Sequence, residues 1–198
     1  VPAHHAALPY QQLPTFIQTL RKCDAGEVVK LAFEFLILCG SRTSEVLNAT
    51  WDEIDTANKI WTIPGTRMKA GIAHRVPLTS RGLAILEGAK ALSDGGPFVF
   101  PGRRPKRPLS NMVFLMTLRR IGHGDLTAHG FRSTFRDWAA ERTNAPRAVC
   151  EAALAHVVRD KTEAAYNRTD LFERRRTLMA SWSRFATSKP GDVVALGA

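Results

Sequence analysis

The chain is poor in cysteine, in tyrosine and in acid. Its three cysteines, Cys23, Cys39 and Cys150, are odd in number and form no CxxC pair. That excludes a disulfide framework and a zinc ribbon, and it fits a reducing cytoplasm. No apolar run approaches the roughly 20 residues of a membrane span, and no signal peptide opens the chain. HExxH, a Walker loop and GxSxG are all missing. Asp and Glu are scattered rather than clustered, and the six histidines show no zinc spacing, so neither a metal nor a cofactor is expected. His4 and His5 are adjacent, which puts them on different faces of any helix.

What is abundant is positive charge. Against 18 acidic residues stand 28 Lys and Arg among 198 residues, for a net charge of +10. A hydrophobic content of 44% is that of an ordinary globular protein, so the excess charge points to a polyanion, nucleic acid first and an anionic membrane second. The chain starts at Val1 rather than Met, which suggests a piece of something longer.

Along the chain, apolar spacing predicts helices over 13–21, 26–39, 110–120, 130–142, 146–155, 159–167 and 171–186. The segment 26–39 is apolar almost all round, as a buried central helix would be, with Lys30 and Glu34 as an i,i+4 pair on one face. Gly40 is its expected stop, and Ser41 the expected cap of a helix carrying Arg42 to Ala49. A further helix, 79–92, has Thr79 or Ser80 as cap. Between Trp51 and Leu78 the pattern turns to short β-rich runs at Ile54, Ile60–Ile63 and His74–Leu78, read as about three antiparallel strands. Four prolines between 97 and 108, among Arg103, Arg104, Lys106 and Arg107, mark a basic loop. The fold class is therefore α+β, mostly helical with a small three-stranded antiparallel sheet. It divides into a lead-in over 1–10, one domain over 11–187 and a flexible tail over 188–198.

A few residues are placed to do chemistry. Tyr166 is one of only two tyrosines and follows His156 by ten residues. His129 and Arg132, at i and i+3 on one helix, can grip a single anion. Arg42 sits where one helix ends and another begins, a place that favours anions, and Glu45 three residues on can orient it by a bidentate contact. In the hairpin region either Lys69 or Arg67 can act. Together such groups can bind a phosphodiester, neutralise its transition state and attack it covalently without a metal.

These residues lie in five segments that resemble the tyrosine recombinase family, in particular the catalytic domain of integrases from phages and integrative elements. The segments are FLILCGSRTSEVLNATWDEID, RMKAGIAHRVPL, LTAHGFRSTF, LAH followed at ten residues by the tyrosine of AAYNR, and RRRTLMASW. The resemblance runs from about residue 10 to residue 186. It implies catalytic roles for Arg42, Lys69, His129, Arg132, His156 and Tyr166, a supporting role for Glu45, and Lys69 rather than Arg67 as the hairpin residue.

The implied activity is site-specific recombination. Tyr166 forms a 3′-phosphotyrosyl bond, Arg42, Arg132 and His156 hold the phosphate oxygens, His129 accepts the tyrosine proton and Lys69 protonates the leaving 5′-oxygen. Neither metal nor ATP is needed, and integration or excision of a mobile element or prophage is the purpose. The implied partners are double-stranded DNA and, on it, three further copies of the chain in a homo-tetramer, with a monomer when free, no membrane, and the bacterial cytoplasm as location. Arg67, Arg103, Arg104, Lys106, Arg107, Arg174 and Arg175 are expected to follow the DNA backbone. Met179 and Trp182 either dock a neighbouring subunit or pack at home. The competing readings are a type IB topoisomerase, a catalytically idle DNA-binding domain, and a metal-dependent nuclease. Family members carry an N-terminal DNA-binding domain that does not fit before Gln11, so the chain reads as an isolated catalytic domain.

Overall fold

The centre of the molecule is the helix that the sequence marks as apolar on all sides. In the computed structural model, which describes residues 6–104, 106–156 and 170–191, this helix is α2 (Glu27–Cys39), and every residue from Ala32 to Cys39 is buried. Around it pack α1 (Leu13–Lys22), α3 (Thr43–Leu47), α4 (Ser80–Ala91), α5 (Val113–Arg120) and α8 (Phe172–Ala186). Two further α-helices, α6 (Gly130–Arg142) and α7 (Arg147–Ala153), complete the set among the described residues.

Aromatic side chains fill the space between these elements. Phe16, Phe33, Phe114 and Phe131 meet on one side of α2. On another side Phe35 packs with Trp61 and Phe100, which joins the sheet to the helices. Trp138, Trp182, Phe135 and Phe185 form a third group that seats α8 on α6. Trp182 also donates its indole N–H to the Ile37 carbonyl at 2.9 Å. Burying each such side chain stabilises the fold by about 1.5–3 kcal/mol before conformational entropy is counted.

The sheet is antiparallel in the order β1 (Ile54–Asp55), β2 (Ile60–Ile63), β3 (His74–Pro77). Register pairs Ile54 with Trp61 and Ile63 with His74. The link between β2 and β3 doubles back so tightly that a Cβ on Gly65 would stand 2.5 Å from the Gly71 carbonyl oxygen. That link carries Lys69.

Most expected elements are present, with Thr79 as the cap of α4 through a 3.2 Å bond from the Gly82 N–H. Two details differ, and one open alternative is decided. Gly40 takes φ +61° and ends α2 as expected, but Ser41 caps nothing. Its N–H closes α2 by donating to the Leu36 carbonyl at 3.3 Å, and the cap position of α3 falls to Arg42. Lys30 pairs with Glu27 at 2.7 Å rather than with Glu34. Glu34 is buried and instead accepts bidentate contacts from Arg21 and Arg81, because a carboxylate on the inner face of α2 must be met by cations from neighbouring helices. Met179 and Trp182 are buried within this chain, which settles them as core. The helix expected over 159–167, Tyr166, residues 1–5 and the tail from 192 onward lie outside the described residues.

Candidate functional site

Arg132 is the innermost charge of the site. It stands in the first turn of α6, 3% exposed, where an apolar residue would be ordinary. Among the described residues no carboxylate pairs with it. One terminal nitrogen donates to the Gly40 carbonyl, and the other donates to the Leu154 carbonyl at 2.7 Å and lies 2.9 Å from Nε2 of His156. Its Nε has no partner among the described residues. Burial, and next the nearby positive charge of Arg42, push its pKa down to about 10. The guanidinium stays charged at neutral pH, held in a fixed fork by carbonyls and an imidazole.

Arg42 approaches from the turn between α2 and α3. Its Nη1 donates to Oε1 of Glu45 at 2.7 Å, and the backbone N–H of Arg42 donates to Oε2 of the same carboxylate at 2.7 Å. The expected bidentate grip is thus shared. One carboxylate oxygen orients the guanidinium, and the other satisfies an orphan N–H at the start of α3, as the acidic half of a capping box does. Arginine has no acceptor to complete that box. A second nitrogen of Arg42 reaches the Ala155 carbonyl at 3.5 Å. The two arginines therefore hold successive carbonyls, Leu154 and Ala155, of the segment that ends α7. Ala155 adopts φ +50° there, which turns the chain so that His156 faces Arg132.

His156 is further fixed by Glu151, whose Oε2 lies 2.6 Å from Nδ1. Its pKa is lowered, by burial first, with Glu151 opposing that and the charges of Arg132 and Arg42 adding to it.

His129 occupies the cap position of α6 and is exposed. With Arg42, Thr43, Ser44, Leu47, Asn48, Leu109 and Asn111 it lines an open groove of about 540 Å³. The structure thus joins Arg42 to Glu45 and Arg132 to His156 directly, and the two pairs to each other through the Leu154 and Ala155 carbonyls, with His129 in the groove beside Arg42. Lys69 is exposed on the β2–β3 link and makes no hydrogen bond or ion pair among the described residues. Tyr166 lies outside the described residues, so its position relative to the cluster is not part of this geometry.

Two arginines expected to follow a DNA backbone do something else. Arg67 chelates Glu53 through Nε at 3.1 Å and Nη2 at 2.5 Å, and donates to the Glu45 carbonyl at 3.2 Å. It ties the Lys69 hairpin to α3, and its charge is consumed internally. Arg175 is 1% exposed and donates to the Asp170 carboxylate and carbonyl and to the Arg75 carbonyl. It sits on the inner face of α8, so its neighbours Arg174 and Arg176 have the outward directions. Arg103, Arg104, Lys106, Arg107 and Arg174 are exposed. The basic loop is pinned at its neck by a bond from the Gly102 N–H to the Arg107 carbonyl at 2.7 Å, and by the Asp94 carboxylate accepting from the Lys106 N–H at 2.9 Å.

Two residues of the site are missed by sequence reasoning. Glu151 carries a signal only in hindsight, a carboxylate one turn before a histidine at a helix end. His74 opens β3 and is half-buried, within electrostatic reach of Arg175, Glu45, Arg132 and Arg42, and burial above all pushes its pKa down to about 4. Its spacing five residues after Lys69 gives no warning of this.

Among the described residues no three His, Cys, Asp or Glu side chains come together as a metal site, and no helix is long and apolar enough to cross a membrane. What the described residues do bring together is a cationic cluster, Arg42 and Arg132 with His156 between Arg132 and Glu151.

Known proteins share this arrangement of elements. Residues 7–171 match the model of the phage integrase family. Prophage integrase IntA of Escherichia coli K12 is 40% identical over 174 residues, which is 87% of this chain and 42% of that protein. The chain thus spans less than half the length of such relatives. The integrase of mycobacterium phage Brujita superimposes with a TM-score of 0.64 at 18% identity, covering 88% of this chain and 57% of that one. The catalytic core of lambda integrase does so at 0.57 and 19% identity, covering 79% and 94%. With a family match over most of its length and the mostly helical fold of those catalytic domains around its sheet, the chain belongs to the phage integrase family of tyrosine recombinases.

Proposed function

We propose that this chain is the catalytic part of a site-specific recombinase that cuts and rejoins double-stranded DNA for integration or excision of a mobile element. The observation that carries the reading is the convergence of Arg42, Arg132 and His156 at the end of α7, with Arg132 buried and without a carboxylate partner among the described residues. A phosphodiester supplies an anion to this cluster. Forked guanidinium groups match its non-bridging oxygens and stabilise the extra charge of a pentacoordinate transition state.

In this reading the Tyr166 hydroxyl attacks phosphorus in line. The new bond is O–P to tyrosine, and the bond broken is P–O5′. The phenolic proton passes to His129, since a phenol of ordinary pKa near 10 is a poor nucleophile at neutral pH. Lys69 protonates the departing 5′-oxygen. Bond energy is retained in the phosphotyrosine, so a second strand's 5′-hydroxyl reverses the step without ATP or metal. The exposed Arg103, Arg104, Lys106, Arg107 and Arg174 track the flanking backbone. A homo-tetramer assembles on DNA from chains that are monomeric when free, in the bacterial cytoplasm where the chromosome lies. The names of the relatives support the mobile-element role, and the structure of a lambda integrase tetramer bound to a Holliday junction supports the assembly.

The test is a covalent trap. Nicked duplexes carrying the junction sequence of the encoding element are incubated with protein in EDTA and run on a denaturing gel. An adduct with wild type and none with Tyr166→Phe is the expected result. An adduct that persists in Tyr166→Phe overturns the nucleophile, and one that forms only with added divalent metal overturns the metal-free chemistry.

A further inference from the structure

The imidazole of His156 is held between two groups of opposite hydrogen-bonding character. Its Nδ1 lies 2.6 Å from a carboxylate oxygen of Glu151, and an ionised carboxylate only accepts. Its Nε2 lies 2.9 Å from a guanidinium nitrogen of Arg132, and a guanidinium only donates. For a neutral ring this leaves one tautomer, with hydrogen on Nδ1 and a lone pair on Nε2. Glu151 holds the residue twice, since its backbone carbonyl also accepts the His156 N–H at 2.9 Å. Glu151 is itself anchored, by Arg136 of α6 at 2.9 Å and by Arg147, one turn earlier in α7, at 3.8 Å. Its side chain is 12% exposed, so this is a built contact and not a passing surface pair.

We propose that Glu151 is a positioning residue for the phosphate-transfer step: it locks His156 in the Nδ1–H tautomer and makes the ring's service to the phosphate depend on a proton at Nε2. The proposal deepens the recombinase reading above and rests on it.

A non-bridging phosphate oxygen needs a donor. The neutral ring, held as it is, offers only a lone pair on the side facing Arg132. Turning the ring over would place Cδ2 where Nδ1 was, losing the Glu151 bond without making Nε2 a donor. His156 therefore donates to phosphate as imidazolium, after Nε2 takes a proton from solvent, while Nδ1–H stays on Glu151. Among the described residues, the charged groups that face the ring are Glu151 from α7, Arg132 from α6 and Arg42 from the α2–α3 turn. In the free protein the two cations and burial outweigh Glu151 and keep the ring neutral. An arriving phosphodiester brings the negative charge that tips the balance, and Glu151 on the far side sustains the imidazolium.

The decisive measurement is ¹⁵N NMR of the imidazoles in the labelled chain, with the His156 signals assigned by their loss in His156→Gln. The neutral wild-type ring is expected to show hydrogen on Nδ1 and none on Nε2. Glu151→Gln is expected to lower the titration midpoint by about one unit, the effect of removing an adjacent countercharge. Adduct formation on the nicked duplexes, followed from pH 5.5 to 8.5, is then expected to lose its basic limb at correspondingly lower pH in Glu151→Gln. A wild-type Nε2–H tautomer overturns the proposal without any variant. So does an unmoved midpoint, or a lowered midpoint with an unmoved basic limb, which would leave Glu151 a merely structural contact. If wild type forms no adduct at any pH, the recombinase reading is what fails, and the NMR tautomer and midpoint still decide the Glu151–His156 pairing.

Discussion

The buried guanidinium of Arg132 donates to the carbonyl of Gly40, the left-handed residue that ends α2 two positions before Arg42. Among the described residues the two arginines of the site are thus fixed to each other through a helix terminus and not through a shared acid. Lysine in place of Arg132 has one nitrogen for the three directions the fork serves, toward Gly40, Leu154 and His156. Arg132→Lys is therefore expected to cost about 1–3 kcal/mol of stability from imperfectly met carbonyls. It should also lower adduct formation by about 100-fold or more, the scale of losing a transition-state donor. Urea unfolding and the covalent trap measure the two effects separately, and an activity loss no larger than the stability loss explains would count against a phosphate at this place.

Glu45 serves the same turn from the other side. Its carboxylate orients Arg42 and satisfies the first N–H of α3. Glu45→Gln keeps an acceptor near both groups but removes the charge that pairs with Arg42, so a cost of about 1–2 kcal/mol is expected by denaturant unfolding, within the range for a helix cap. Glu45→Ala removes both contacts and should cost more. Equal losses for the two variants would mean that the charge paired with Arg42, and not the cap, is what matters.

His74 gives the fold a specific weakness to acid. Its folded pKa of about 4 lies below the ordinary histidine value of about 6.5, because burial disfavours the charged ring. Below that ordinary value the unfolded chain takes up a proton that the folded chain refuses, so stability is full above pH 6.5 and declines as pH falls toward 4. The loss approaches about 3 kcal/mol at its limit. His74→Asn is expected to flatten this decline between pH 6.5 and 4 in a series of thermal melts, whatever it does to stability at neutral pH. An unchanged slope would show that His74 is protonated in the folded state.

The architecture was largely legible because it follows from periodicity: an all-apolar helix must be central, and short β-rich runs separated by turn residues must pair. The site residues were legible as types at spacings. What the sequence hid is which charges are spent inside. Nothing in the run Arg174–Arg175–Arg176 says that the middle one turns inward to Asp170. Likewise, Arg67 and Lys69 look alike until Glu53, fourteen positions before Arg67, takes Arg67 for itself. The Glu151–His156 contact escaped for the same reason. A spacing of five is out of phase with a helix face, and only the left-handed turn at Ala155 brings the ring back onto the carboxylate.

Asp170 separates two kinds of ion pair in one contact set. It chelates Arg75, where both side chains are nearly half exposed, and it also meets Arg175, which is 1% exposed. Arg75→Ala removes an exposed partner and should cost within about 1 kcal/mol. Asp170→Ala leaves the buried Arg175 charge with carbonyls alone and should cost about 3 kcal/mol or more. Comparable losses for the two would mean that Arg175 is already adequately satisfied by the Asp170 and Arg75 carbonyls.

The basic loop can be tested apart from catalysis by the salt dependence of DNA binding. Each phosphate neutralised by a cation contributes about 0.9 to the slope of log affinity against log salt. Arg103, Arg104, Lys106 and Arg107 are all exposed. If all four contact the backbone, replacing them together by Gln should reduce the magnitude of that slope by about 3 to 4. Arg175→Gln, though it removes the same kind of charge, should leave the slope alone, because its guanidinium is inside the protein. Fluorescence anisotropy of a labelled duplex at 50 to 200 mM salt reads both slopes. A slope that falls for Arg175→Gln and not for the loop variant would reverse the assignment of which cations face DNA. A fall of only about 1 for the loop variant would mean that a single one of its four charges reaches a phosphate, and the single variants would then identify it.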